Sequence, residues 1–279
     1  MAPTVPNLLQ QATVTAVGLV LFIAACMVYA RLVARLRATG GQVRVAGFDL
    51  PDLLVSFVLA SFFGGLVIKA VLSHADKTET PLTPDHVLPS SLTFAAFVVA
   101  LAAFLAFRGL RLTELFGLAR MRVLQVCGWA ALLLVAAIPF VGAVNAVTVL
   151  LMKNEAEQQP LVELFRAAAQ RGDHSTIAII AAAGVILAPL CEEFLFRGYF
   201  YAVGKRYLSA WISGLLTAAL FAAFHASLTS FAGLFVLAIA LTLAYERTGT
   251  LAVPVTMHAL FNATSLGVLY LQATNRLPT

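Results

Sequence analysis

The stretch that decides the fold is residues 176–203, which read TIAIIAAAGVILAPLCEEFLFRGYFYAV. This apolar run is interrupted by only three charged side chains, Glu192, Glu193 and Arg197. A helix needs about 20 apolar residues to cross a bilayer, so a run of this length predicts a membrane-spanning helix. Ionisable groups are costly inside a bilayer and are usually functional there, so this stretch is also the first candidate for a site.

The rest of the chain has the same apolar character. Of its 279 residues, 61% are apolar and 11% are charged, whereas soluble domains contain about 45–50% and about 25%. This composition argues against a soluble enzyme, a nucleic-acid-binding protein or a disordered regulator. The apolar runs are continuous rather than alternating, which favours helices over a β-barrel. We predict an all-α, polytopic membrane helical bundle of about eight transmembrane helices, with approximate spans 12–30, 53–72, 91–107, 123–152, 176–203, 209–226, 231–245 and 251–270.

Lysine and arginine are distributed unevenly between the loops. Eleven of the 18 lie in loops 31–52, 108–122, 204–208 and 246–250, and five lie in the alternate loops and the C-terminal tail. Basic residues concentrate on the cytoplasmic side of a membrane, so we predict that the first set is cytoplasmic and that both termini lie outside. The net charge of +5 includes no basic run with interleaved aromatics, so no nucleic-acid partner is indicated.

We divide the chain into about four N-terminal transmembrane helices with loops over residues 1–175, a helical core that holds the candidate site over residues 176–270 and a short tail over residues 271–279. Residues 74–89 predict an external loop. Residues 154–171 predict either a surface amphipathic helix or a loop that packs on the bundle. The sequence has no internal repeat, which argues against a transporter built from repeats.

The carboxylates of the decisive stretch are expected to have different environments. On a helix, Glu193 and Arg197 are four residues apart in the order that favours an ion pair. Glu192 points about 100° away and is left without this cation. A buried carboxylate without a cation is suited to act as a general base near neutral pH. The alternative is a purely structural glutamate–arginine bridge near a helix end.

Two further polar groups occur inside later apolar runs. Phe221 lies one turn before His225 on the same helix face and is placed to fix its imidazole ring. His258 and Asn262 are also one turn apart and present their polar groups to one face. Each of these groups has a structural alternative, which is a satisfied core histidine for the first and interhelical hydrogen bonding for the second.

The depths of these side chains in the bundle can be compared by counting residues from the loops. Glu192 and His225 lie about 14 and 16 residues from the charged turn near residue 208, or about 21–24 Å along antiparallel helices, so they are expected to meet. His258 lies only about 12 Å beyond its own loop, so tilted or broken helices are needed to bring it to the same level. The short span 231–245 is a candidate for such irregularity.

Two chemistries fit a convergence of these groups. In one, Glu192, His225 and His258 bind a divalent metal ion such as zinc, which activates water. In the other, Glu192 and His225 activate water directly, and His258 and Asn262 stabilise the oxyanion. Asparagine is a poor zinc ligand and a good oxyanion donor, so we favour the second and assign no cofactor.

The three motifs Glu192-Glu193-x-x-x-Arg197, Phe221-x-x-x-His225 and His258-x-x-x-Asn262 lie in this order on successive apolar runs. Together they resemble the CPBP family of intramembrane proteases. This is the CAAX-protease and bacteriocin-processing (Abi-like) group, which includes the type II CAAX prenyl endopeptidases. The resemblance covers approximately residues 176–270, and all the motif positions are filled.

The resemblance implies an intramembrane endopeptidase that cleaves near the cytoplasmic side of a bacterial-type membrane. Glu192 would activate water with His225, Glu193 and Arg197 would organise the site, and His258 and Asn262 would bind the oxyanion. The family has been described both as glutamate-type and as metal-dependent. The implied partners are membrane lipid and a peptide or membrane-protein substrate that need not be prenylated. The alternative is a non-proteolytic scaffold or immunity-type protein whose polar cluster is structural.

Overall fold

The computed structural model describes residues 8–75, 82–152 and 160–277, and these residues form helices joined by short connections, with no strand. Seven of the helices are long and apolar enough to cross a membrane, and an eighth apolar helix is shorter. The predicted all-α polytopic bundle is therefore confirmed. The helices of the described residues are α1 (Leu8–Thr39), α2 (Leu50–Ala75), α3 (Pro84–Phe107), α4 (Leu112–Leu115), α5 (Val123–Met152), α6 (Pro160–Arg171), α7 (His174–Tyr207), α8 (Ala210–Phe224), α9 (Leu228–Thr248) and α10 (Ala252–Ala273).

The short apolar helix is α8, not the span predicted at residues 231–245. Helix α8 has 15 residues and ends before His225, because Ala226 adopts a left-handed conformation with φ of 47°. Helix α9 has 21 residues because it begins earlier than its apolar run, at Leu228. Ser227 caps it by accepting a hydrogen bond from the backbone N–H of Ser230. Polar residues that looked like a loop therefore form a helix start.

Two of the predicted loops are partly helical. Helix α1 continues to Thr39, which places the first basic cluster on a helix end rather than in a loop. The predicted external loop at residues 74–89 is wrong from residue 84 onwards, because α3 begins at Pro84. Proline is favoured in the first helical turn, where its missing N–H costs nothing. Residues 76–81 of this segment lie outside the described residues.

The amphipathic interpretation of residues 154–171 is confirmed for the described part, residues 160–171. Helix α6 buries Phe165, Ala168 and Ala169 against α7 and α10 and exposes its other face. Asp173 then caps α7, because its carboxylate accepts hydrogen bonds from the Thr176 side chain and backbone N–H and from the Ser175 hydroxyl. These bonds lower the pKa of Asp173 to about 2, so the cap stays charged at neutral pH.

Helix α7 carries the decisive stretch and is not a regular α-helix. Two π-helical segments, Ala182–Leu187 and Phe194–Tyr201, flank the turn that contains both glutamates. Pro189 lies between them and has no N–H to donate to the preceding turn. π-helical segments are rare and frequently occur at functional sites. The widened turns therefore mark the part of α7 where chemistry is expected.

The N-terminal helices pack directly against the C-terminal ones. One hydrophobic cluster contains Phe63 of α2 and Leu105 of α3 together with Phe196 of α7 and Phe221 of α8. Helix α10 continues to Ala273, so the segment predicted as a tail is helical in its first residues.

The four basic loops meet at one end of the bundle, which we call the basic end. Its described contacts join the loop after α1, the turn after α4 and the end of α9. The Arg120 guanidinium donates to the Gln42 side chain at 2.5 Å, and the backbone N–H of Gln42 donates to the Glu246 carboxylate at 2.7 Å. That the basic end faces the cytoplasm remains a prediction.

Candidate active site

Glu193 is the hub of a buried ion pair. Its Oε1 accepts a hydrogen bond from Arg197 Nη1 at 2.8 Å and another from His258 Nδ1 at 2.8 Å. All three residues are at most 3% exposed. The ion pair predicted from the four-residue spacing is therefore present, and it also holds a histidine that lies 65 positions further along the chain.

Arg197 is held on two further sides. Its Nη2 donates to the backbone carbonyl of Ala238 in α9 at 3.2 Å. Its guanidinium carbon lies 4.4 Å from the centre of the Phe221 ring in α8, a cation–π distance. A charge buried in this way is stable only when it is paired and hydrogen-bonded, so Arg197 and Glu193 fix each other and join three helices.

Both histidines expose the same ring nitrogen to the site. His258 Nδ1 faces a carboxylate, and His225 Nδ1 faces the backbone carbonyl of Phe221 at 2.9 Å. Both acceptors require a hydrogen on Nδ1, so each neutral ring carries its lone pair on Nε2. The Phe221 ring lies 4.9 Å from the His225 ring, which agrees with the predicted role of Phe221 in fixing that ring.

Glu192 faces these two free nitrogens. Its Oε2 lies 4.0 Å from His225 Nε2 and 3.9 Å from His258 Nε2, and it has no hydrogen-bond partner among the described residues. These distances are too long for direct hydrogen bonds. A water molecule can hydrogen-bond to an oxygen and a nitrogen at about 2.8 Å each. If the angle between these two hydrogen bonds is near 90°, the oxygen and the nitrogen lie about 4 Å apart. The three atoms therefore have the spacing to share one water molecule.

The site is enclosed but can be reached. The Glu192 and His225 side chains are 12% and 20% exposed, whereas Glu193 and His258 are 0% and 3% exposed. The outer pair thus faces the opening and the inner pair lies behind it. This arrangement separates groups that can contact a substrate from groups that hold the others in position.

Asn262 lies one turn beyond His258 but has a different partner. Its side-chain Nδ2 donates to the backbone carbonyl of Gly184 at 2.7 Å, in the first π-helical segment of α7. The structure therefore brings five of the six predicted residues into mutual contact or close approach and ties the sixth to the adjacent turn. The amide nitrogen of Asn262 has a second hydrogen for a further acceptor.

Counting residues from the loops predicted that Glu192 and His225 meet. The same counting placed His258 closer to the basic end than Glu192. The second π-helical segment of α7 lies between Glu193 and the basic end and winds more residues into each turn. This shortens the distance from Glu193 to that end, and the turn before α10 contributes as well, because residues 248–251 are buried whereas residues 207–209 before α8 are exposed. The irregular helix is α7, not the span at residues 231–245.

The donor types of the site match those of a zinc site, but its spacing is wider. Two imidazole nitrogens and a carboxylate form a recognised zinc ligand set, and the Nδ1 bonds of both histidines are typical supports for it. Ligand atoms around a tetrahedral zinc ion lie about 3.3–3.4 Å apart. Within residues 8–75, 82–152 and 160–277, no group of three or more His, Cys, Asp or Glu side chains is placed to hold a metal ion.

Three hydrogen-bond acceptors of the site are backbone carbonyls, so the type of residue gives no indication of them. The carbonyls of Gly184, Phe221 and Ala238 accept hydrogen bonds from Asn262, His225 and Arg197, respectively. Every residue has a carbonyl, so sequence patterns carry no signal for these contacts. Pro189, which has no N–H to donate to the preceding turn, is the sequence feature that indicates released carbonyls near the first π-helical segment.

Replacing Arg197 by methionine is expected to lower the free energy of unfolding by about 3–5 kcal/mol, because Glu193 would remain buried without its cation. Thermal unfolding of the purified protein in detergent measures this change. Arg206→Met is the matched control, since Arg206 is exposed at the basic end. Equal stability of the two variants would contradict the structural importance of the buried pair.

Comparisons with known proteins agree with this geometry. Residues 174–264 match a family model described as type II CAAX prenyl endopeptidase Rce1-like. This segment is Rce1-like. It contains all six predicted site residues, and the match confirms the resemblance that the three motifs indicated.

Part of this chain is similar to a protein of Escherichia coli described as an uncharacterized 24.3 kDa protein. The two are 41% identical over 90 residues, which make up 30% of this chain and 41% of the relative. The chain therefore matches less than half of the length of that relative. No solved structure matches the chain.

Proposed function

We propose that the protein is an intramembrane endopeptidase that hydrolyses a peptide bond in a membrane-proximal or lipidated protein. The match to the Rce1-like family supports a CAAX-type endopeptidase in general. The observation that carries the proposal is the Glu192 carboxylate, whose Oε2 has no hydrogen-bond partner among the described residues and faces two imidazole nitrogens inside an apolar bundle. A carboxylate and two oriented imidazoles, at distances that one bridging water can span, are the groups needed to activate water for attack on a carbonyl.

In the proposed reaction, Glu192 and His225 take a proton from water as its oxygen attacks the carbonyl carbon of the scissile bond. The new carbon–oxygen bond places negative charge on the former carbonyl oxygen. When the carbon–nitrogen bond breaks, the leaving amine receives the proton that the water gave up. The products are a carboxylic acid and an amine, which become a carboxylate and an ammonium group by transfer of one proton, and no other reactant is consumed.

His258 and Asn262 are the proposed donors to the oxyanion. Protonated His258 can donate from Nε2, and Glu193 stabilises the resulting imidazolium through Nδ1, as the acid of a catalytic triad does. Asn262 donates its second amide hydrogen while the first holds Gly184. Arg197 supports this arrangement by holding Glu193 in place through their ion pair.

Metal ions provide a separate test of the mechanism. If the enzyme is metal-dependent, Glu192, His225 and His258 would hold a zinc ion, which would lower the pKa of water. We expect full activity after treatment with a chelator and no stoichiometric zinc by elemental analysis of the purified protein. One zinc per chain whose removal abolishes hydrolysis would overturn direct catalysis by Glu192.

The substrate class can be tested with paired reporter peptides. The purified protein in detergent or vesicles is given a fluorogenic peptide with a prenylated C-terminal cysteine motif, and the same peptide without the lipid. Cleavage of either peptide supports an endopeptidase, and their ratio shows whether the lipid is recognised. If neither these peptides nor any protein of the native membrane is cleaved, the chain acts instead as a scaffold or immunity-type protein.

A further inference from the structure

Two adjoining grooves lie near the basic end, away from the active site. Helices α1 and α8 both pack on α9. The first groove lies between α1 and α8 with α9 as its floor, and it is shallow and lined mainly by apolar side chains, including Trp211, Leu215 and Ile239. This groove is better suited to bind an apolar chain than a polar ligand.

The second groove is nearer to the end of the helices and has a basic lining. It lies between α1 and α9 and is lined by Arg35 near the end of α1 and Arg247 near the end of α9. Leu36 and Leu243 line both grooves, so the two are continuous. The pair forms one amphipathic channel that is apolar towards the membrane interior and basic towards the end of the bundle.

The two arginines of this channel have no acidic partner. Neither Arg35 nor Arg247 forms an ion pair with any residue among 8–75, 82–152 and 160–277. Glu246 also lines the basic groove, but its charge is already matched. It accepts hydrogen bonds from Lys205 Nζ at 2.6 Å and from the Tyr201 hydroxyl at 2.5 Å. Two like charges in one groove are favourable only if an anion joins them.

Both tryptophans of the chain mark the depth of this channel. The Arg247 guanidinium lies 4.6 Å from the Trp129 ring centre, and the Arg37 guanidinium lies 5.6 Å from that of Trp211. Tryptophan is enriched where the headgroups of a membrane meet its hydrocarbon core. The basic groove therefore lies at the level of lipid phosphates, and the apolar groove extends from it into the hydrocarbon layer.

We propose that this channel binds one anionic phospholipid. The phosphate lies between Arg35 and Arg247, where guanidinium groups donate charge-assisted hydrogen bonds. An acyl chain lies in the apolar groove and fills the space between α1 and α8. This lipid site does not depend on the proposed protease activity, since none of its residues belongs to the active site.

Native mass spectrometry of the full chain in detergent, titrated with phosphatidylglycerol, tests the proposal. We expect Arg35→Gln/Arg247→Gln to bind this lipid at least tenfold more weakly than the wild type. The matched control is Arg122→Gln/Arg206→Gln, which removes two exposed charges from the same end outside both grooves. We expect this control to bind within twofold of the wild type.

Further ligands distinguish the source of the anion. Phosphatidylcholine is expected to bind at least tenfold more weakly than phosphatidylglycerol, and millimolar inorganic phosphate is expected not to displace the bound lipid. Equal loss in both double variants, no loss in either, or displacement by inorganic phosphate would overturn the lipid site. If the Arg35→Gln/Arg247→Gln variant does not fold, the single variant Arg35→Gln is tested instead, because Arg35 is exposed. Unchanged lipid binding by Arg35→Gln would contradict the proposal.

Discussion

Replacing Glu192 by glutamine is expected to lower the turnover number for peptide hydrolysis by about 10²–10⁴-fold, the usual contribution of a general base. Glutamine has nearly the same shape, but its amide cannot take a proton from water. Oε2 of Glu192 has no hydrogen-bond partner among the described residues and lies 4.0 Å and 3.9 Å from the Nε2 atoms of His225 and His258, so the substitution breaks no direct hydrogen bond of this oxygen. Turnover of the reporter peptides by purified protein measures the effect.

Glu163→Gln is the matched control for this variant. Glu163 is an exposed carboxylate of α6, on the outside of the bundle. Both variants are expected to insert into membranes and to unfold at the same temperature as the wild type, and only Glu192→Gln is expected to lose activity. Full activity of Glu192→Gln would place the base elsewhere and remove the proposed mechanism.

Replacing His258 by alanine is expected to lower the turnover number by about 10²–10³-fold, with a smaller change in KM. Removal of one oxyanion donor typically has this cost, because the interaction is made in the transition state. Asn262→Ala is expected to act in the same direction, with an additional loss of stability from the freed carbonyl of Gly184. Steady-state kinetics on the same reporter peptides separates turnover from KM.

Thr264→Ala is a suitable control for both α10 variants. The Thr264 hydroxyl is exposed and bonds only within its own helix, to the carbonyl of Leu260. An unchanged turnover in His258→Ala would remove the oxyanion role of that residue. A rise in KM with constant turnover would instead assign His258 to substrate binding.

The parts of the site that depend on one helix could be predicted from the sequence. The Glu193–Arg197 pair follows from a four-residue spacing, and the contact between the Phe221 and His225 rings follows from the same spacing. The meeting of α7 and α8 at Glu192 and His225 could also be predicted, since a short turn joins two antiparallel helices of known rise.

Contacts that depend on irregular helices could not be predicted in the same way. The bond between Glu193 and His258 depends on the rise of α7, which the second π-helical segment changes, and on the depth of the buried turn before α10. Residue counting assumes one rise per residue and therefore assigned the irregularity to the wrong span. The early end of α8 depends on the left-handed backbone of Ala226, a conformation that alanine rarely adopts and its sequence does not signal.

The division of roles between the carboxylates also became clearer in three dimensions. Sequence spacing indicated that Arg197 holds Glu193 and leaves Glu192 available. The structure adds that Glu193 orients His258 and that both imidazoles present Nε2 to Glu192. The inner carboxylate therefore positions a ring, whereas the outer one faces the space where water and substrate can meet.

The most direct test of the central claim compares the peptide termini of membrane proteins in cells that carry the wild type and in cells that carry Glu192→Gln at equal expression. If Glu192 activates water for peptide hydrolysis, at least one truncated membrane protein present with the wild type is absent with the variant, and its full-length form accumulates. Identical sets of termini in the two membranes, with the biological effect of the protein preserved in the variant, would show that the polar cluster serves a structural role instead.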